Sequence, residues 1–300
     1  MKVNNSRVEK LTEKNIPAFK AYFKKYSHEQ DESCPPLDDF SVNEDDPAYL
    51  LVENGKITGA AALMLQPEYR EARLARFRIF HTVYEDYISY NKLLNSILLH
   101  TSGLTSIYAF IEDNYSNIAN IWVELGFEAR RFAWILRRPV EGFAKPEFPP
   151  GFELRIFRDG IDEQDWCSVT NDAFEHSLGH VRMTPERLAH WKMDSTYING
   201  GLNMLWHNDR PVGTIALTHE EQNGEEVLFI DAIGVLTEFQ GRGLGSNLLR
   251  FGIQYAAENN FSKVMLSVNG ENEKAAGIYF KEGFEKEALY KCYYMDVNTK

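Results

Sequence analysis

Residues Glu226 to Asn259 constrain this chain most. A run rich in Val, Ile and Phe, Val227-Leu228-Phe229-Ile230-Asp231-Ala232-Ile233-Gly234-Val235-Leu236, leads into Gln240-Gly241-Arg242-Gly243-Leu244-Gly245, and a helical pattern follows. The apolar run is about ten residues long, which favours a buried strand over a helix. Beyond the glycines, Leu244, Leu248, Leu249, Gly252 and Ala256 recur at helical spacing and predict one buried face. The glycines therefore mark a strand-to-helix junction. The first turn of such a helix leaves backbone N–H groups without intrahelical partners and points the positive end of its dipole outward. A phosphate fits there when no Cβ blocks its approach.

Spacing separates the phosphate-cradling loops. A dinucleotide fingerprint requires glycine at position 246 or 248, where the chain has Ser246 and Leu248, and no acidic residue ends the following strand, Lys263-Val264-Met265-Leu266-Ser267. A nucleoside-triphosphate loop requires Gly-Lys-Ser or Gly-Lys-Thr, which is absent. What remains is Gln240-x-x-Gly243-x-Gly245. Together with Asn272, Tyr279, Gly283 and Phe284, which follow in order, it resembles the two-part signature of the GNAT superfamily of acyl-CoA-dependent N-acyltransferases. The resemblance covers Phe152 to Val297.

This resemblance implies an α/β (α+β) fold, a mixed and mostly antiparallel sheet flanked by helices, with acetyl-CoA as co-substrate and no metal. It implies that backbone N–H groups near Ile233, Gly234 and Val235 hold the pantetheine and the thioester carbonyl, Gly234 accommodating a bulge that splays two strands apart. Gln240, Gly241, Arg242, Gly243, Leu244, Gly245 and Ser246 then form the pyrophosphate loop, and Asn272 joins the cofactor site. Tyr279 falls where many members place the acid that protonates the leaving thiolate; a core aromatic at helical spacing is the alternative. Some members carry a glutamate base at the position of Phe229, a departure that turns attention to Asp231, two residues along and on the same face by strand alternation. A carboxylate among Phe229, Ile230 and Ile233 is paired or functional, since burying an unpaired charge is costly. A structural Asp held by backbone donors is the alternative. Glu175, His176, His180 and Glu186 are candidates for the acceptor side.

The same layout occurs twice. Tyr49 to Met64 contains two strand patterns joined by Asn54-Gly55, a strong hairpin signal. A matching arrangement returns at Met204 to Leu217, and Gly59 with Gly213 and Gly126 with Gly283 repeat at an offset of about 155 residues. Between the copies, Arg138 to Gly151 is rich in proline and glycine and reads as a linker. The expected division is a first domain over 1–138, a linker over 139–151 and a second domain over 152–300. Helices are predicted over Glu13–Tyr26, from Ile161 to about Phe174, and after Thr184-Pro185, where threonine is the N-cap. The final segment Ala288 to Met295 is expected to close the second sheet. In the first copy the glycine loop is replaced by His81-Thr82-Val83-Tyr84-Glu85-Asp86-Tyr87-Ile88-Ser89-Tyr90, and Tyr115 and Trp122 stand for Asn272 and Tyr279. Tryptophan donates only through its indole N–H and cannot serve as an acid. The first copy is thus expected to be GNAT-like, without an acyl-CoA site, and to support or cover the second.

Charge and cysteine usage bound the function. The formal net charge of -12 argues against nucleic acid as a partner and mildly favours cationic small molecules, although it also serves solubility. Three scattered cysteines, Cys34, Cys167 and Cys292, form neither a disulfide framework nor a zinc site. No apolar signal core or membrane-length run is present, so the expected compartment is the cytoplasm. The expected function is acetyl transfer from acetyl-CoA to a small-molecule primary amine by direct attack in a ternary complex. A non-catalytic acyl-CoA-binding protein and transfer to a protein amine stay open beside it, and the acceptor, acyl chain length and oligomeric state are not specified.

Overall fold

The structure, a computed structural model, describes residues 6–37, 40–177, 180–222 and 224–297. The chain forms two compact units, one comprising 1–133 with 289–300 and the other 134–288.

In chain order the first unit contains β1 (Arg7–Lys10), α1 (Ile16–Tyr26), β2 (Ala48–Glu53), β3 (Lys56–Met64), α2 (Pro67–Glu71), β4 (Leu74–Thr82), α3 (Tyr87–Ile97), β5 (Ser106–Glu112) and α4 (Ser116–Glu124). β6 (Glu128–Pro139) straddles the boundary between the units. β1 to β4 pair antiparallel in sequence order, and β4 pairs parallel with β5. The β2–β3 hairpin turns at Asn54 and Gly55 with φ of 50° and 75°, the left-handed pair that Asn-Gly favours. The helix predicted from Glu13 begins as a 3-10 turn over Glu13–Asn15, and the α-helix proper starts at Ile16 with Pro17 in its first turn, where the missing N–H costs nothing.

The second unit contains β7 (Phe152–Ile156), α5 (Glu163–Phe174), α6 (Pro185–Trp191), β8 (Tyr197–His207), β9 (Arg210–Gln222), β10 (Glu225–Val235), α7 (Leu244–Glu258), β11 (Lys263–Asn269) and α8 (Glu273–Lys281). β7 to β10 pair antiparallel in order, and β10 pairs parallel with β11. Thr184 caps α6 by accepting from Arg187 N, as its sequence signal predicts. The buried face of α7 carries Leu244, Leu248, Leu249, Gly252 and Ala256 and packs with Ile215, Leu217, Leu228 and Ile230. The mixed, mostly antiparallel sheet with flanking helices is therefore present in each unit.

The last strand, β12 (Glu285–Asp296), departs from expectation. From Tyr290 to Asp296 it pairs antiparallel with β5 of the first unit, and Tyr293 and Met295 enter that unit's core beside Phe77, Phe80 and Trp122. In the second unit the neighbour of β11 is β6, whose residues from Trp134 onward belong to that unit. The expected division at 138, with all of 152–300 in the second domain, thus gives way to an exchange of strands. A β-prone segment carries no label for its partner, and the pairing is decided by which apolar surface its side chains complete.

Candidate active site

β10 and β11 part company half-way along. Their ladder comprises Leu228 with Val264, Phe229 with Met265 and Ile230 with Leu266, while β10 runs on to Val235 and β11 to Asn269. On its other edge β10 stays paired with β9 as far as Val235 with Gly213, and Leu236 N donates to Val212 O at 2.9 Å. Antiparallel pairs alternate between bonded and non-bonded. Leu236 and Gly234 therefore spend their backbone groups on β9, and those of Ile233 and Val235 turn toward the gap. One of them is already engaged: Gln240 Nε2 donates to Val235 O at 3.1 Å.

The gap leads to the start of α7. Gly241 and Gly243 both have φ of 77°, and Gly243 is the N-cap residue with no side chain closing the helix end. A Cβ at either position would meet open space, so what glycine supplies here is the left-handed backbone and an unobstructed approach. Arg242 is exposed, its guanidinium 5.0 Å from the Phe239 ring centroid. Lys274, in the first turn of α8, donates to Gln240 Oε1 at 3.1 Å. Two cations thus flank a helix N-terminus, an arrangement suited to a diphosphate. Lys274 was not among the residues singled out from sequence, although it lies two positions after Asn272. Asn272 itself caps α8, its Oδ1 accepting from Ala275 N at 3.1 Å.

The bulge in β10 lies three residues before Gly234. Ile230 opposes Leu217 and Ala232 opposes Ala216, leaving Asp231 as the extra residue. Gly234 pairs in register with Thr214, and its missing side chain serves close packing: a Cβ would lie 3.0 Å from Ala173 Cβ and from Thr214 Oγ1. The expectation of a bulge at Gly234 is corrected accordingly. Asp231 is exposed by accessible surface, although protein atoms surround its carboxyl group, and its Oδ2 accepts a hydrogen bond from Thr218 Oγ1. Thr218 pairs with Phe229, which puts Asp231 and Phe229 on one face as strand alternation suggested. Desolvation pushes the Asp231 carboxyl up to about 7, with Glu220 and Asp194 adding to the rise and the Thr218 hydroxyl opposing it.

Tyr279 is half-buried on α8, with its ring 6.1 Å from Phe284 and its phenol pushed up to about 12 by burial. It keeps its proton throughout the physiological range. On the α5–α6 side, Glu175, His176 and Glu186 are exposed. His180 stacks on Phe174 and lies 3.3 Å from Asn171 Oδ1, its imidazole pushed down by burial and by Arg187. Cys167 is buried, with its thiol pushed up to about 11 by desolvation, the opposite of an activated nucleophile.

The first unit repeats this geometry with its stations filled by its own residues. β4 and β5 pair only over Leu74–Arg76 with Ser106–Tyr108, and the bulged residue of β4 is Arg78. Arg78 donates to Cys34 O at 3.0 Å, Pro35 O at 2.8 Å and Asp46 Oδ1 at 2.7 Å. Val83 N donates to Thr58 O, so the alternation turns Phe80, the counterpart of Ile233, toward the gap. There the amide of Gln30 takes both backbone groups: Phe80 N donates to Gln30 Oε1 at 3.0 Å, and Gln30 Nε2 donates to Phe80 O. The start of α3 is closed by Asp86, whose Oδ1 accepts from Ser89 N at 2.8 Å. Trp122, at the position of Tyr279, is fully buried 5.2 Å from the Phe80 and Phe127 rings.

Residues 164–284 match the family model described as Acetyltransferase (GNAT) family. The second unit is a GNAT acetyltransferase domain. The chain is 28% identical over 240 residues to the mycothiol acetyltransferase of Paenarthrobacter aurescens, covering 78% of this chain and 69% of that protein. It is 26% identical over 235 residues to the mycothiol acetyltransferase of Kytococcus sedentarius, covering 77% and 73%. Among solved structures, a tandem GNAT protein from the clavulanic acid biosynthesis pathway superposes with a TM-score of 0.70 at 13% identity, covering 99% of this chain and 100% of that one. A GCN5-related N-acetyltransferase from Sphaerobacter thermophilus gives 0.67 at 17% identity, covering 97% and 96%. These likenesses extend the fold over both units, and residues 164–284 carry a domain of the GNAT acetyltransferase family, whose members use acetyl-CoA as co-substrate. Among the described residues no cluster of metal-ligating side chains occurs, and no helix is long and apolar enough to cross a membrane.

Proposed function

We propose that the second unit transfers the acetyl group of acetyl-CoA to the primary amine of a small molecule, in the cytoplasm, by direct attack in a ternary complex. The observation that carries this reading is the parted β10–β11 edge running into an uncapped helix start with two left-handed glycines. An extended pantetheine arm matches the backbone groups of Ile233 and the N–H of Val235, and a diphosphate matches the N–H groups from Gly243 to Ser246 with Arg242 and Lys274 beside them. Asp231 takes the proton of the acceptor ammonium. The amine lone pair then attacks the thioester carbonyl carbon, the C–S bond breaks, and Tyr279 donates its phenolic proton to the departing sulfur. A phenol near 12 is a weaker acid than an ordinary thiol, but the desolvation that raises it also raises the thiolate beside it.

The first unit is read as having no acyl-CoA site: Gln30, Asp86 and Arg78 stand at the stations of pantetheine, phosphate and base. Release of free CoA thiol from acetyl-CoA is measured against a panel of small amines, with a peptide N-terminus and a lysine peptide included. Release with a small amine and one acetyl-CoA bound per chain supports the proposal. Release with the peptides alone assigns a protein amine, and tight binding without release for any amine assigns a sensor.

A further inference from the structure

The bulge in β10 has a second participant. Asp231 has no opposite residue on β9, and its carboxylate is directed by Thr218, the partner of Phe229 two residues before the bulge. Thr218 is 3% exposed, and a β-branched strand residue has few χ1 states, so its hydroxyl is an anchored donor. We propose that Thr218 is a positioning residue for acetyl transfer: it holds Oδ2 of Asp231, leaving Oδ1 as the oxygen that receives the proton of the acceptor amine. This rests on the reading of Asp231 as the base.

The surroundings give the hydroxyl its importance. The charged groups acting on Asp231 are themselves carboxylates, Glu220 on β9 and Asp194 in the turn before β8, and both disfavour its ionised form. Asp194 is held by Thr196, whose N and Oγ1 both donate to its Oδ1 at 2.9 Å. Tyr197, across the sheet from Thr218, is pushed up by burial and stays neutral. His219 is committed to Glu226 Oε2 and Ser195 O, at 3.0 Å each. The Thr218 hydrogen bond is therefore the influence that favours the carboxylate, by the third of the ways in which an environment shifts a titration. Donation to one oxygen also fixes the plane of the carboxylate, so that a single lone-pair direction faces the incoming amine.

The test uses full-length protein labelled with 13C at the aspartate carboxyl carbons, with the Asp231 signal assigned by its loss in Asp231→Asn. Thr218→Val removes the donor at constant shape and is expected to raise the Asp231 midpoint by about one pH unit, while Thr218→Ser leaves it in place. Thr218→Cys, a weak donor of similar volume, is read in the same way should the valine variant not fold. In turnover, Thr218→Val is expected to shift the acidic limb of kcat/KM upward by the same unit and to leave the KM for acetyl-CoA unchanged. A midpoint that does not move overturns the positioning role. A midpoint that moves while the acidic limb stays put makes the bond structural and overturns it too. Full turnover in Asp231→Asn refutes the base itself, a separate failure.

Discussion

Replacing Gly243 by aspartate tests the cofactor site at the point where geometry is most demanding. The residue has φ of 77°, and a Cβ there meets nothing within 4 Å, so the new side chain fits sterically and reaches the space in front of the helix. Holding a non-glycine residue in the left-handed region costs roughly 1–2 kcal/mol. The larger effect is electrostatic. A carboxylate about 5 Å from one phosphate charge repels it by roughly 1–3 kcal/mol for effective dielectric constants between water and a protein surface. Asp86 shows in the first unit how such a carboxylate settles, accepting the N–H of Ser89. Taken together, acetyl-CoA affinity is expected to fall by roughly 2–5 kcal/mol, or about 30- to 5000-fold. Isothermal titration of the wild type and of Gly243→Asp measures it, with Gly243→Ala as the control that adds strain without charge and loses about thirtyfold or less. The reasoning is refuted if the aspartate variant binds within threefold of wild type or if alanine is equally harmful. Two sites in the wild type would instead refute the reading of the first unit.

Three further outcomes are expected. Asp231→Asn should lower kcat about a hundredfold, in the range of general base catalysis, with the acetyl-CoA dissociation constant nearly unchanged; equal losses in both would count against the base role. The ionised form is the base, so kcat/KM should rise with pH through about 7 to a plateau. The native state retains a proton that the unfolded chain releases near 3.8, so stability should fall as pH rises from about 4 to about 7, and Asp231→Asn should flatten that part of a pH series of thermal melts. Tyr279→Phe should reduce turnover about a hundredfold without changing the melting temperature by more than a few degrees, and unimpaired turnover would dismiss it as the acid. Gly234→Ala should destabilise the protein by roughly 1–3 kcal/mol, because its methyl group would lie 3.0 Å from Ala173 Cβ and Thr214 Oγ1; denaturant midpoints report this directly.

Local signals in the sequence were legible and distant ones were not. Asn54-Gly55, the Thr184 cap and the glycines before α7 act within a few residues of themselves, and the structure places each where its chemistry demands. The bulge was expected at Gly234 because glycine tolerates irregular backbone, whereas the register slips at Asp231, which any residue can adopt. Thr218 was invisible because its relation to Asp231 exists only once β9 and β10 are paired. Gln30 was invisible for the same reason, being fifty positions from the backbone it clamps. The loss of the glycines in the first copy was readable, but the groups that take their place were not.

The exchanged last strand bears on how the protein is made. Asp296 receives the hydroxyl of Ser106 across 190 positions of chain, and Tyr293 and Met295 complete the core around Phe77 and Trp122. The unit synthesised first thus lacks a strand until β12 has been made, leaving the edge of β5 open throughout translation of the second unit. An open edge of apolar strand invites pairing with other chains, and closing so long a loop is slow. Emergence of β12, rather than of residues 1–133, sets the moment at which the first unit becomes whole, and a nonsense codon before Leu289 would injure the half of the molecule already made.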